Sequence, residues 1–236
     1  MTPFQAMRMR KPAAAGGSDP YFSSTVLLLG GEGANNSTTF TDESAAARGN
    51  ATVLSGAKVS TAQFKHGAAA ILLNGSSDYL TYPDSTDWEF GAGQYTVECF
   101  VYFTSVADVS FCGHRDNSAN GWRFGRFSGA IQLSADNSAG TIGVSWTPTI
   151  NTWYHVCADR DAAGVTRVYV DGTMLQKATG TNAMTAHSNT FAVGRNPASA
   201  VFFFPGYIDE MRITKGAARY ASDSGYTVPT AAFPRS

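Results

Sequence analysis

Along most of the chain, hydrophobic and polar residues alternate over short stretches, and small clusters of polar residues and glycine separate these stretches. Between Tyr95 and Phe103, every second residue from Val97 onward falls on one face, and Glu98 lies on the opposite face. A repeat of two residues is that of a β-strand with one buried face. The same pattern predicts strands over residues 25–29, 68–74, 79–82, 95–103, 109–112, 122–127, 131–135, 141–146, 154–159, 166–170, 173–178, 191–193 and 206–213.

The clearest predicted hairpin lies near the middle of the second half of the chain. The strand over residues 165–170 is followed by Asp171-Gly172 and then by a second strand. An Asp-Gly pair suits the tight primed turn of a two-residue hairpin. Segments with a helical repeat are nearly absent. Many short strands at this spacing predict an all-β fold, either a sandwich or a barrel.

Composition and charge exclude several classes of protein. The chain has 236 residues and is 43% hydrophobic, which is enough for a core and excludes wholesale disorder. Lys and Arg number 17 against 18 Asp and Glu, so we expect no nucleic-acid partner, because phosphate binding needs a surplus of cations. No run of about 18 apolar residues occurs, so we expect no membrane span. The odd number of cysteines favours buried free thiols and leaves an intersubunit disulfide open.

Residues 1–22 are predicted to form an extended N-terminal arm, since several prolines and a glycine pair disfavour a helix. No apolar stretch follows the basic residues Arg8, Arg10 and Lys11, so we expect no signal peptide. Two interpretations of the arm remain open. It is a frayed terminus, or it is a docking arm that orders on another protein, with Phe4 as an apolar contact and the basic residues as charged contacts.

Several sequence blocks carry a recognisable pattern, in this order: Gly67-Ala-Ala-Ala-Ile-Leu-Leu-Asn-Gly with Ser-Ser-Asp-Tyr-Leu, Gln94-Tyr-Thr-Val-Glu-Cys-Phe-Val-Tyr-Phe, Trp153-Tyr-His-Val-Cys-Ala with Val168-Tyr-Val-Asp-Gly, and Phe204-Pro-Gly-Tyr-Ile-Asp-Glu-Met-Arg-Ile. Together they resemble the laminin-G-like domains of the concanavalin A-like lectin and glucanase family, over about residues 25–215. The resemblance implies a single antiparallel jelly-roll β-sandwich over residues 23–236, with a C-terminal tail from about residue 216.

The closing segment, from Arg219-Tyr220 to Phe233-Pro234, resembles the ending of versions of this domain that tailed bacteriophages carry. This resemblance implies a non-enzymatic virion accessory protein, exposed on the particle and attached to capsid or tail proteins through the arm. Its lectin-like domain would face host or mucus glycans. We also expect a homo-oligomer, because virion accessories occupy symmetric lattices. The alternatives are a free carbohydrate-binding lectin and a glycan hydrolase of the same fold.

The sequence disfavours catalysis, and no catalytic residue is predicted. Glucan hydrolases of this fold carry Glu-x-Asp-x-x-Glu on one strand, which places a nucleophile and an acid about 5 Å apart. No such run occurs here. Asp209 and Glu210 are adjacent and so point to opposite faces of a strand. Asp87 and Glu89 form a pair without a third acidic member.

The predicted ligand-binding residues are Asn120, Trp122 and Arg123, near the loop after residue 115. An exposed indole would stack on a sugar ring, while the amide and the guanidinium would hold hydroxyl groups. The loop after residue 104 is predicted to share this face. The other interpretation of Trp122 is that it packs in the core or at an edge.

Calcium is the predicted cofactor, in a structural role. In relatives an ion often lies near the aspartate of the Ile-Asp-Glu strand, so the resemblance implies Asp209 as the first ligand. Asn74 and Asp78 are the predicted neighbours. The alternative is that Asp209 braces local turns while Glu210 pairs with Arg212 or another surface cation.

Overall fold

The computed structural model describes residues 17–118, 120–136, 141–180 and 183–236, and they form two stacked antiparallel β-sheets. Sheet A contains β1 (Thr25–Leu29), β3 (Lys58–Ser60), β4 (Ala70–Asn74), β6 (Tyr95–Phe103), β11 (Trp153–Arg160), β12 (Val165–Val170), β13 (Thr173–Thr179) and β15 (Pro205–Lys215). Sheet B contains β2 (Thr52–Leu54), β5 (Tyr79–Tyr82), β7 (Val109–Arg115), β8 (Gly121–Phe127), β9 (Ala130–Ala135), β10 (Ile142–Ser145) and β14 (Phe191–Val193). Short 3-10 helices span Phe22–Ser24 and Thr86–Trp88.

The order of strands is that of a jelly roll, in which sequence neighbours are often separated in the sheet. Sheet A runs β13-β12-β11-β6-β15-β4-β3, and sheet B runs β10-β9-β8-β7-β14-β5-β2. The long strand β15 pairs along one edge with β6 and along the other with β4 and then β1. A bulge between Asp209 and Arg212 interrupts its ladder, and Glu210 there has a φ of 48°.

The core lies between the sheets and is formed by the inner faces of the strands. The alternation predicted for β6 is confirmed, because Val97, Cys99, Val101 and Phe103 are all buried in this core. An aromatic layer crosses it, in which the Trp88 ring stacks on Phe191 with ring centroids 4.5 Å apart. Burial of such large apolar side chains makes the largest favourable contribution to the free energy of folding.

A C-terminal segment, residues 217–236, covers the middle of the outer face of sheet A. The backbone N–H of Tyr226 donates to Gly172 in the β12–β13 turn, at 2.8 Å. Phe233, 2% exposed, packs against Phe100 on the outer face of β6. For this reason Glu98, on the same outer face, is also fully buried. The segment begins just after β15 ends, and it is part of the folded unit.

The predicted fold class is confirmed, and most predicted strands lie within a residue or two of those observed. The Asp171-Gly172 hairpin is present, with φ values of 48° and 75°. Two three-residue strands, β2 and β3, were not predicted. Residues 1–16 of the predicted arm, with Phe4, Arg8, Arg10 and Lys11, lie outside the described residues. Among the described residues, no helix is long and apolar enough to cross a membrane.

The last part of the predicted arm belongs to the domain surface. Asp19 is 9% exposed and its carboxylate accepts hydrogen bonds from both terminal nitrogens of Arg219, at 2.9 and 2.8 Å. The backbone N–H of Asp19 donates to the carbonyl of Ser236, at 2.8 Å. The chain therefore enters the fold beside its C-terminus, and the predicted boundary at residue 22 lies too far along the chain.

Candidate functional site

Trp122 lies in β8 and faces the core. It is 1% exposed, its ring stacks on Phe90 with centroids 4.8 Å apart, and its Nε1 donates to the carbonyl of Trp88 at 2.8 Å. The ring is enclosed and its only donor is already used, so this indole is not available to a sugar. The prediction of Trp122 as a ligand-binding residue is wrong, and the structure shows the alternative, a core residue.

Arg123 follows Trp122 on the strand and therefore points to the outer face of sheet B. It is half-buried, and its guanidinium carbon lies 4.0 Å from the ring centroid of Phe127 and 5.2 Å from that of Phe202. Burial and the neighbouring charge of Arg115 lower the pKa of Arg123 to about 10. It is therefore a cation at neutral pH.

Asn120, the third predicted ligand-binding residue, lines an open depression of about 430 Å³. One wall is the loop between β7 and β8, and the other is the segment that leads into β14. The loop after residue 115 is one of those predicted to present a binding face. The lining is almost entirely polar and consists of Asp116, Asn117, Asn120, Ala186, His187, Ser188 and Asn189.

Hydrogen bonds between Asp116 and Asn120 fix the first wall. The backbone N–H of Asp116 donates to the carbonyl of Asn120 at 3.1 Å. The Asp116 carboxylate accepts from the backbone N–H and from the side-chain amide of Asn120, each at 2.9 Å. Slight burial raises the pKa of Asp116, but these hydrogen bonds outweigh it and hold the pKa below its usual value. The wall thus carries a carboxylate, and the Asn117 side chain beside it is exposed.

His187 and Asn189 attach the second wall to sheet B. The Asn189 side-chain amide donates to the carbonyl of Arg115 at 2.6 Å, and the Asn189 carbonyl lies 2.9 Å from Nε2 of His114. The rings of His114 and His187 stack with centroids 3.9 Å apart. Burial and the neighbouring His187 lower the pKa of His114, so its imidazole is neutral at neutral pH.

Gly121, the first residue of β8, and Asp136, directly after β9, allow this close approach. Gly121 has a φ of 82°, and a Cβ at this position would lie 2.4 Å from Nε2 of His187. A side chain is therefore excluded there. Asp136 accepts from the backbone N–H of Gly121 at 2.6 Å and from the hydroxyl of Thr185 at 3.0 Å. It ties the second wall to the end of β8.

The depression can exchange several hydrogen bonds with a polar ligand. Its amide, hydroxyl and carboxylate groups come from two walls and so approach a ligand from different directions. Nε2 of His187 is buried and has no hydrogen-bond partner among the described residues. Vicinal sugar hydroxyls, which both donate and accept, fit such a set of groups.

Asp209, the first predicted calcium ligand, braces a loop instead. One carboxylate oxygen accepts from the backbone N–H groups of Lys65 and His66, at 2.7 and 2.9 Å. Burial raises the pKa of Asp209 to about 8. Its neighbour Glu210 pairs with Arg235 at 2.7 Å and not with Arg212. The bracing alternative is therefore what the structure shows.

Asn74 and Asp78 are not close to Asp209. Asn74 pairs with Pro205 at the start of β15, which places it about 13 Å from Asp209 along the strand. The Asn74 side chain caps its own turn, and Asp78 accepts from the backbone N–H of Gly56 at 2.8 Å. The predicted ligands therefore do not converge. The described residues contain no group of three or more His, Cys, Asp or Glu that could hold a metal ion.

A second cluster of ionisable groups lies under the C-terminal segment. Glu98 is fully buried and accepts from Arg212 at 2.9 Å and from the Tyr220 hydroxyl at 2.6 Å. Its other neighbour is His155, whose Nε2 lies 3.2 Å away. Burial alone would raise the pKa of Glu98, but the charge of Arg212 and the contact with His155 hold it far below its usual range. The cluster is closed to a substrate, and its role is structural.

Sequence reasoning missed residues 186–189, which form the second wall of the depression. They lie more than sixty residues after the β7–β8 loop and in a segment without a strand pattern. Asp116 and Asn117 carried a usable signal. They begin the loop after residue 115, which the sequence predicts to present a binding face.

Comparison with known proteins identifies the family. Residues 74–221 match the laminin-G-type model described as the concanavalin A-like lectin/glucanases superfamily. No curated protein sequence matches the chain significantly.

Solved structures share the fold at low sequence identity. Domain 4 of an extracellular arabinanase from Geobacillus stearothermophilus, in complex with arabinotriose, is 19% identical, with a TM-score of 0.60 over 82% of this chain and 93% of that one. The binding domain of Paraclostridial Mosquitocidal Protein 1 is 13% identical, with a TM-score of 0.63 over 84% of this chain and 50% of that one. The botulinum neurotoxin serotype G binding domain is 15% identical, with a TM-score of 0.58 over 82% of this chain and 48% of that one. This chain thus spans about half the length of the two toxin domains.

The family model covers well over half of the chain, and the two-sheet sandwich agrees with it. The chain belongs to the concanavalin A-like lectin/glucanases superfamily.

Proposed function

We propose that this domain is a non-catalytic glycan-binding module and that the depression between the β7–β8 loop and residues 186–189 is its sugar site. The observation that carries the proposal is the lining itself, a nearly continuous polar surface on two walls that hydrogen bonds hold in place. The arabinanase domain of the same fold, determined with arabinotriose, supports the assignment to a carbohydrate.

The chemistry of the depression favours binding over catalysis. Glycoside hydrolysis needs two carboxyl groups, one of them with a raised pKa so that it can donate a proton. Among the described residues, Asp116 is the single carboxylate in the lining, and its pKa is lowered. The groups that remain are hydrogen-bonding groups, which hold a sugar without cleaving it.

The test is a glycan array probed with the folded full chain, followed by titration calorimetry with the best-binding neutral oligosaccharide. Asn117→Ala and Ser188→Ala remove exposed groups from opposite walls. Each is expected to weaken binding about tenfold, since one lost hydrogen bond is worth about 1–1.5 kcal/mol. Gln176→Ala, an exposed amide on β13 of sheet A, is the matched control and should leave affinity unchanged. An array without signal, or equal losses in the control, would contradict the proposal.

We further propose that the module is displayed on a bacteriophage particle as a virion accessory protein. The resemblance of the closing segment to phage-borne domains supports this role. The position of Asp19 also supports it, because the N-terminal end of the domain lies beside sheet A while the depression is formed by loops that connect strands of sheet B. A protein docked through residues 1–16 would thus turn its sugar site away from the attachment point.

Deleting residues 1–16 tests this role. The shortened chain should keep its sugar affinity and lose co-sedimentation with particles that lack the endogenous protein, whereas the full chain should bind them. Sedimentation equilibrium of the full chain tests the expected self-association. If the shortened chain attaches to particles as well as the full chain does, docking through the arm is wrong.

A further inference from the structure

Three arginines occupy the outer face of sheet B without a carboxylate partner. Arg123 lies on β8, Arg115 ends the neighbouring β7, and Arg195 follows β14, the next strand along. None of the three forms an ion pair with any described residue. Arg126, also on β8, differs from them, because it pairs with Asp108 at 2.9 Å. We call these three residues the arginine face.

Aromatic rings support two of these guanidinium groups. Arg123 lies over Phe127, and the guanidinium carbon of Arg195 lies 4.0 Å from the ring centroid of Tyr79. Tyr79 alternates with the buried Leu80 and therefore belongs to the outer face. Stacking on a ring fixes the plane of a guanidinium, so the groups are ordered before any ligand arrives.

Each arginine also has a buried nitrogen that lacks a hydrogen-bond partner among the described residues, namely NH1 of Arg115, Nε of Arg123 and Nε of Arg195. An unpaired donor on a charged group is costly to bury. Arg115 is close enough to Arg123 to lower its pKa, so the charges also repel one another. The carboxylates of Asp136 and Asp116 attract Arg115 and offset part of its charge. An anionic ligand on the exposed side of the guanidinium groups would reduce the repulsion that remains.

The arginine face is continuous with the sugar depression. Arg115 directly precedes Asp116, and its carbonyl accepts the hydrogen bond of Asn189 that fixes the second wall. Neighbouring strands lie about 4.8 Å apart, so the three charges are spread across the sheet and not gathered in one small pocket. This arrangement suits a charged polymer better than a single small anion.

We propose that the arginine face binds an acidic polysaccharide, whose carboxylate or sulfate groups pair with Arg115, Arg123 and Arg195 while a neighbouring sugar occupies the depression. The choice of a glycan over another polyanion rests on the proposed function. The assignment of an anion rests on the arginines alone. The two parts are therefore separable by experiment.

The test measures binding of the full chain to polygalacturonate, dextran sulfate, uncharged dextran and polyglutamate by biolayer interferometry at several salt concentrations. The charged polysaccharides are expected to bind, and their affinity should fall steeply with added salt. Arg123→Gln and Arg195→Gln should each weaken this binding about tenfold, as expected for loss of a charge-assisted contact. Lys58→Gln and Lys177→Gln, on sheet A, remove the same charge and should change affinity less than twofold.

The outcomes separate the two parts of the argument. If Asn117→Ala weakens neutral-sugar binding about tenfold while acidic polysaccharides still bind through the arginines, both sites stand. If polyglutamate binds as tightly as polygalacturonate, the polysaccharide assignment is wrong. If the arginine variants, with unchanged melting temperatures, bind acidic polymers as well as the wild type does, or if the lysine variants lose as much affinity as the arginine variants do, the anionic site is wrong. An array without neutral-sugar signal together with arginine-dependent polygalacturonate binding would overturn only the depression as a sugar site.

Discussion

Replacing Glu98 with glutamine should strongly destabilise the protein and loosen its C-terminal segment. Glu98 is 0% exposed and lies between Arg212 and the Tyr220 hydroxyl, so its negative charge compensates a buried cation. Removing one partner of a buried ion pair costs about 3–5 kcal/mol. Arg212 also pairs with Asp19 at 3.4 Å, so part of its charge stays compensated and we expect the lower end of this range, about 3 kcal/mol. In a chain of this size each kcal/mol shifts the melting temperature by about 2–4 °C, so the expected fall is about 6–12 °C.

Urea unfolding followed by tryptophan fluorescence measures the loss of stability, and limited proteolysis reports the C-terminal segment. Glu98→Gln should become sensitive to cleavage between residues 217 and 236, because Tyr220 loses the carboxylate that anchors it. Glu89→Gln, at a half-buried position after the second 3-10 helix, removes the same charge and is the control. A change below about 1 kcal/mol in Glu98→Gln would refute the reasoning, because it would mean that Arg212 is not left uncompensated.

Further predictions concern the core, pH and metal. Trp122→Phe should lower the free energy of unfolding by about 1–3 kcal/mol, because it removes buried ring atoms and one hydrogen bond, and should leave glycan affinity unchanged in the same preparation. His114 has a lowered pKa in the fold, so the unfolded chain takes up its proton first, and stability should fall as the pH drops through about 6.5. The fall should be smaller in His114→Gln, and an equal fall in both proteins would contradict this assignment. Chelator or added calcium should not move the melting temperature, because Asp209, Asn74 and Asp78 do not converge; a rise with calcium would reveal a site elsewhere.

Local pattern predicted the strands well because most of them have one face in the core. It failed for β2 and β3, since each has only three residues and contributes little alternation. It also failed for Trp122, because the sequence pattern alone does not distinguish a tryptophan that faces the core from one that faces the solvent. The observed pairing of β8 with β7 places Trp122 opposite the buried His114 and shows that the indole faces the core.

Part of the site could be predicted and part could not. Asn120 and Arg123 lie within the β7–β8 hairpin, and a hairpin is a local structure. His187 and Arg195 reach the same surface through β14, whose place beside β7 depends on the topology of the whole sheet. No short-range signal encodes that contact. The predicted calcium ligands do not meet for a related reason, since the ladder between β4 and β15 places Asn74 opposite Pro205 and not near Asp209.

The covering of sheet A determines which surface remains for a ligand. A sandwich has two outer faces, and here a segment of the chain occupies the middle of one of them through a buried polar network. Arg219 donates two parallel hydrogen bonds to the carboxylate of Asp19, and such a bidentate pair fixes the relative orientation of the two side chains. The C-terminal segment and the N-terminal end of the domain are therefore held together on this face. On sheet B, Arg115, Arg123 and Arg195 form no ion pair with any described residue. These arginines and the open polar depression, which is formed by loops that connect strands of sheet B, therefore lie away from the face that the C-terminal segment covers, and we expect recognition to occur there.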